Sequence, residues 1–239
     1  MTATPGPGTR VYAIGDIHGR LDLLIRLEAM IADDLAWSRP ARTVAVYLGD
    51  YVDRGPDSRR VLDHLMDRPL PADEIVHLFG NHEDAMVRFL DDRWIGGSWM
   101  GFGGRETLRS YGVVPDPSLP PDEWFAAAQE AFARALPERH LAFLEGLPLR
   151  HAEGGYLFVH AGIRPGLALD RQRREDLLWI RHEFLDSDAD HGCVVVHGHS
   201  IQSEPEIRAN RIGIDTGAYC SDRLTALVLE GEARRFLAT

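Results

Sequence analysis

The sequence predicts an α/β (α+β) fold built as a two-sheet β-sandwich flanked by helices. Two patterns carry that prediction. In the first half, short apolar runs alternate with helical patterns, and each run ends in a turn where Gly precedes Asp or Asn. Such alternation argues for parallel βαβ units. In the second half, apolar runs come in close pairs separated by turn residues, which argues for antiparallel pairs closing a second sheet.

Val11 to Ile14 reads as a buried strand, about 11–15, ahead of Gly15-Asp16-Ile17-His18-Gly19. Leu21, Leu24, Ile25, Leu27, Glu28 and Ile31 follow with helical period, over about 20–36. A strand about 43–48 precedes Gly49-Asp50, and a helix about 57–67 comes next. Ile75 to Phe79 makes a strand about 74–79 before Gly80-Asn81, with a helix about 82–91. Residues 94–104 hold Trp94, Trp99 and five glycines. They read as a packed loop with aromatic anchors, or as a flap bordering a cleft. Helices are expected at about 105–110, 121–135 and 138–145. The segment Pro121-Asp122-Glu123 makes a good helix start. Leu149–Ala152 pairs with Tyr156–His160, Glu206–Ala209 with Arg211–Ile214, and Leu224–Leu229 with Arg234–Leu237, while Val194–Val196 is a further buried run. Residues 1–10, rich in Gly and Pro, are expected to be a flexible arm, and 11–239 a single domain.

Composition narrows the function classes. The 239 residues are 44% apolar and 26% charged, ordinary for a soluble domain. The net charge of −11 disfavours binding to nucleic acid. Cys193 and Cys220 form no close pair of the zinc or redox kind, and two cysteines fit a reducing compartment. Residues 1–10 lack the apolar stretch of a signal peptide, and no run of about 18 apolar residues exists to span a membrane. A cytoplasmic location with no membrane partner is the expectation that follows.

Five stretches carry candidate chemistry. Asp16 and His18 lie on the first strand-to-helix turn, where ligands bind in open α/β sheets. Asp50 ends the second strand and leads into Gly49-Asp50-Tyr51-Val52-Asp53-Arg54-Gly55. Carboxylates on neighbouring strand ends repel unless a cation sits between them. Asn81 and His82 follow the third strand in Gly80-Asn81-His82-Glu83. His160 and His199 end two later runs. Mixed oxygen and imidazole donors without thiolate suit manganese, iron or zinc.

The set resembles the calcineurin-like metallophosphoesterases, within them the phosphoprotein phosphatase branch. Asp16 and His18 match Gly-Asp-x-His-Gly, Asp50, Asp53 and Arg54 match Gly-Asp-x-Val-Asp-Arg-Gly, and Asn81, His82 and Glu83 match Gly-Asn-His-Glu. His160 and His199 match two later histidine blocks. Trp179-Ile180-Arg181 and Ile214-Asp215-Thr216-Gly217-Ala218 look like the bacterial and phage-type serine/threonine phosphatases. The resemblance covers residues 11–230.

It implies two divalent metal ions, manganese first, with iron or zinc as alternatives. Asp16, His18 and Asp50 would hold one, and Asp50 would bridge to a second held by Asn81, His160 and His199. His82 would be the general acid, with Asp53 fixing its orientation, for in-line attack of a bridging water. Arg54 and Arg181 would clamp the phosphate, since a guanidinium meets two oxygens at once. The expected substrate is a phosphoprotein bearing phosphoserine or phosphothreonine, or a small phosphoester. The alternative is a symmetrical dinucleoside tetraphosphate hydrolase or a broad-specificity phosphoesterase. His197 is expected to be a satisfied polar residue, Asp215 a support behind the site, and Cys220 a packing residue. Tyr219 resembles a loop tyrosine near the cleft of eukaryotic relatives.

Overall fold

Strand β1 (Thr9–Ile14) is buried at all six positions, as a central strand covered on both faces must be. The computed structural model describes residues 3–239. In it β1 pairs in parallel with β2 (Arg42–Tyr47), and β2 with β3 (Glu74–His77). Helices α1 (Leu21–Trp37) and α2 (Ser58–Asp67) make the crossovers, and α3 (Asn81–Asp91) follows β3. Parallel strands end at one sheet edge, so the three turns lie side by side. The N–H groups of Ile17 and His18 both donate to the Asp50 carbonyl, at 3.1 and 2.8 Å.

Residues 94–104 are helical for most of their length, where an irregular loop was one expectation. A 3-10 turn leads into α4 (Gly96–Gly101) and α5 (Gly104–Ser110), followed by α6 (Pro121–Ala135) and α7 (Glu138–Glu145). Trp99 is fully buried and Trp94 is 64% exposed, so only one of the two anchors the segment. A Cβ on Gly104 would lie 2.7 Å from the Trp99 ring, which is why glycine stands there.

The second sheet contains β4 (Arg150–Glu153), β5 (Tyr156–Val159), β6 (Val194–His197), β7 (Glu206–Ile207) and β8 (Arg211–Gly213), in the order β4-β5-β6-β8-β7. The expected pairs β4-β5 and β7-β8 are antiparallel, but the expectation that such pairs alone close this sheet needs two corrections. Its centre, β5-β6-β8, is parallel. The long connection through α8 (Arg174–Trp179) and α9 (His182–Leu185) supplies the crossover that parallel pairing requires. Strands β9 (Thr225–Glu230) and β10 (Ala233–Ala238) join the first sheet instead, β9 lying antiparallel to β1. A short helix, α10 (Ala218–Ser221), precedes them.

Side-chain alternation builds two cores from one strand. Val11 and Ala13 face the second sheet, with Val44, Val46, Phe158, Val196 and Leu227. Tyr12 and Ile14 face the helices, with Leu24, Leu27, Val61 and Val228. Within residues 1–10, where an arm was expected, several residues make contacts with the sheets. Thr9 and Arg10 already belong to β1, the Gly155 N–H donates to the Thr4 carbonyl, and the Tyr156 hydroxyl donates to the Ala3 carbonyl. Residues 1 and 2 lie outside the described part. Among the described residues no helix is long and apolar enough to cross a membrane.

Candidate active site

Six non-glycine residues among those described have left-handed φ, and five are predicted site residues: His18, Asp50, Asp53, Arg54 and His199. Such backbone costs about 1–3 kcal/mol per residue and persists only where surroundings enforce it. Glu83 is one enforcer. Its buried carboxylate accepts the N–H groups of Asp50 (2.8 Å), Tyr51 (2.8 Å), Val52 (3.2 Å) and Gly80 (3.0 Å).

The turns converge on Asp50. Its Oδ2 lies 3.6 Å from His18 Nε2 and 3.8 Å from His82 Nε2, and its Oδ1 lies 3.4 Å from His160 Nε2. Asn81 Oδ1 lies 2.8 Å from His160 Nε2 and 2.7 Å from His199 Nδ1. Two donor clusters therefore share Asp50: His18, Asp50 and His82 on one side, and Asp50, His160 and His199 on the other. Asp16 completes the ring by accepting the His199 N–H at Oδ2, 2.9 Å. A Cβ at position 198 would sit 2.0 Å from Asp16 Oδ1, so glycine permits this approach.

The donor set fits cations. His18 Nδ1 donates to the Val52 carbonyl and His160 Nδ1 to the Leu48 carbonyl, each at 2.9 Å. Both Nε2 atoms are thus lone pairs aimed at oxygens, an arrangement that repels itself unless a positive ion intervenes. Burial and the charge of His82 push His18 down to about 3, and burial and His160 push His199 down to about 2, so both rings are neutral. Burial, Asp215 and Asp50 push Asp16 well above the usual carboxylate range. Asp16 Oδ1 and His199 Nε2 are buried without a hydrogen-bond partner.

His82 is held differently. Its Nδ1 donates to Asp53 Oδ2 at 2.7 Å. Asp53 also accepts from Trp99 Nε1 (3.0 Å) and Thr107 Oγ1 (2.6 Å), so three donors fix the carboxylate that orients the imidazole. Burial opposes charging of His82, but Asp50 and Asp53 outweigh it and push the ring up to about 9. Arg54 donates to the Tyr219 hydroxyl at 2.6 Å with its guanidinium 4.4 Å over that ring. Arg181 is exposed and donates to the His199 carbonyl at 3.2 Å.

Residues 9–226 match the calcineurin-like phosphoesterase family. The chain is a calcineurin-like phosphoesterase. It is thereby a metal-dependent phosphoester hydrolase. This phosphoesterase is 26% identical over 236 residues to the bis(5'-nucleosyl)-tetraphosphatase PrpE [asymmetrical] of Bacillus thuringiensis (strain Al Hakam), covering 90% of this chain and 88% of the relative. A relative of the same name in Anoxybacillus flavithermus is 25% identical over 239 residues, with the same coverage of both chains. Among solved structures, a candidate diadenosine tetraphosphatase superposes with TM-score 0.62 at 20% identity, covering 98% of this chain and 96% of that one. A cold-active protein tyrosine phosphatase gives 0.61 at 16% identity, covering 98% and 81%. Both likenesses are of fold.

In this phosphoesterase, the roles of three residues around the site escaped sequence reading. Trp99 and Thr107 hold Asp53, and Glu83 holds the Asp50 turn. Glu83 had a signal, since Glu three residues after a helix-start position reaches back to its N–H. Trp99 and Thr107 had none, because their contacts with Asp53 span 46 and 54 residues. The residues of uncertain role also find their places. Asp215 is buried and accepts the Gly217 N–H. His197 Nδ1 donates to the Gly198 carbonyl while Nε2 has no partner, so it is satisfied on one side only. Cys220 is exposed, where a packing residue was expected.

Proposed function

We propose that this phosphoesterase hydrolyses dinucleoside tetraphosphates at a binuclear metal centre. The end-to-end match to relatives named as bis(5'-nucleosyl)-tetraphosphatases supports the substrate class. The observation that carries the chemistry is the pair of donor clusters sharing Asp50, one of which contains His82, the ring that Asp53 holds. Asp16, His18 and Asp50 would hold one cation, and Asp50, Asn81, His160 and His199 the other. When bound, the cations supply Lewis acidity toward water and the phosphoryl oxygen. His82 carries a proton at Nε2 for the leaving oxygen, and Asp53 keeps the ring in place. Arg54 and Arg181 bind the phosphoryl group and orient it.

A protein serine/threonine phosphatase is the second reading. It rests on the likeness of Trp179-Ile180-Arg181 and Asp215-Thr216-Gly217-Ala218 to the bacterial and phage-type enzymes. One measurement separates the two: kcat/KM on diadenosine tetraphosphate and on a phosphothreonine peptide, with one manganese-loaded sample and a chelator control. Preference for the dinucleotide is expected, and preference for the peptide would overturn the substrate assignment. Product analysis then distinguishes a mononucleotide plus a nucleoside triphosphate, the asymmetrical outcome, from two nucleoside diphosphates.

A further inference from the structure

Trp179 ends α8 and is 37% exposed. Its ring centroid lies 5.9 Å from that of Phe102 and 6.3 Å from that of His199. Phe102 in turn lies 6.0 Å from His82. The two rings thus form one aromatic surface that touches the candidate proton donor at one end and the candidate metal centre at the other. Neither ring is needed to hold the ligands, whose positions follow from backbone carbonyls, Glu83 and Asp53.

Trp179 also lines a cavity of about 260 Å³, together with Asp84, Arg88, Arg174, Glu175 and Leu178. Pockets that take a whole drug-sized ligand run to roughly 300–1,000 Å³, so this one suits a single ring system. Its charges balance, two arginines against two carboxylates, and Arg174 already donates to Asp84 at 2.9 Å. A phosphate would gain no net attraction there. A neutral planar ring with donors and acceptors on its edge would find partners for both.

We infer that Trp179 and this cavity hold a nucleobase of the substrate, the ring stacked on the indole and its edge facing Asp84, Arg88, Arg174 and Glu175. This inference rests on the dinucleotide reading above. It places the base one ribose away from the phosphate that meets His82 and the metal centre. Cleavage then falls between that phosphate and the next, leaving a mononucleotide and releasing a nucleoside triphosphate.

The test is binding, so that it does not depend on turnover. The phosphonate analogues of adenosine 5'-monophosphate and ribose 5-phosphate, in which CH2 replaces the ester oxygen, are titrated calorimetrically into the manganese-loaded protein. The wild type is expected to bind the adenosine compound about tenfold or more tightly than the ribose compound, the scale of one base–aromatic stack. Trp179→Leu is expected to bring that ratio within about twofold while the affinity for the ribose compound stays unchanged, which also reports an intact site. Trp179→Phe is expected to recover most of the preference. A wild-type ratio within about twofold, or a ratio that survives in Trp179→Leu, would overturn the inference whatever the enzyme hydrolyses. A preference for the phosphothreonine peptide in the turnover assay, with the base preference intact, would overturn the substrate reading alone.

Discussion

The Glu83 carboxylate accepts the Asp50 backbone N–H at 2.8 Å, so the residue shared by both donor clusters is held by a side chain from another element. Three further N–H groups reach the same carboxylate. Glu83→Gln puts an amide NH2 against two of those donors and leaves buried N–H groups unpaired, at about 1–3 kcal/mol each. The expected result is a loss of roughly 2–4 kcal/mol in denaturant unfolding of the metal-free protein at pH 9, where Glu83, pushed up to about 8 by burial and Asp50, is ionised, with weaker metal binding. Unchanged stability would show that the four bonds are replaceable by water.

His82 and Asp53 act as a unit, and a pH profile reads the coupling. His82→Asn is expected to lower kcat by about 10²–10⁴ while both metals stay bound. Asp53→Asn removes a hydrogen-bonded charge that favours the protonated His82 ring. The protonated window therefore shrinks from above, and the alkaline limb of kcat/KM moves down by about 1–2 pH units. A limb that stays where it is in Asp53→Asn would assign it to another group.

Asp50 faces His18, His82 and His160 within 3.8 Å. Asp50→Asn is expected to lower metal content and activity together, measured by elemental analysis on dialysed protein. Full occupancy of two metals in that variant would contradict a bridging role.

Metal-free protein is expected to lose stability between pH 7 and 9. Burial and Asp50 push Glu83 up to about 8, and Asp50 with Asp53 hold His82 at about 9 against burial. In the unfolded chain both have released their protons by about pH 7. Groups raised in the folded state contribute stability that is present at low pH and lost as pH rises through the folded value. The loss is on the order of 2–4 kcal/mol across that window. Cations on Asp50 offset the charge that raises both groups, so the slope should flatten with manganese. Melting temperatures at pH 7, 8 and 9, with chelator and with metal, check this; a flat metal-free series would sink it.

Much of this was legible in the chain. Each strand-to-helix turn announces itself by an apolar run ending in Gly and a polar ligand type, so the turns after β1, β2 and β3 and their residues could be named from sequence. The pairing of β9 with β1 could not, because Arg10 and Glu230 lie at opposite ends of the chain and a buried strand reads alike in either sheet. Glycine content misled at 94–104. Gly96 and Gly104 serve close packing against Phe89, Phe125 and Trp99, not irregular backbone. The support of Asp53 by Trp99 and Thr107 stayed hidden, since tertiary hydrogen bonds leave no spacing in sequence.

The position of β1 between β2 and β9 has a consequence for biosynthesis. Among the described strands the first made, β1, is a central one, and one of its neighbours, β9, is the ninth of the ten. At 5–20 residues per second, that edge waits about 10–40 s for its partner. Until then its free N–H and C=O groups offer a template for pairing with other chains. The contact order of this sheet is high, so closure is slow even once the chain is free. Nascent chains stalled before residue 225 should therefore be the aggregation-prone species of this protein, and the ones that most need a chaperone.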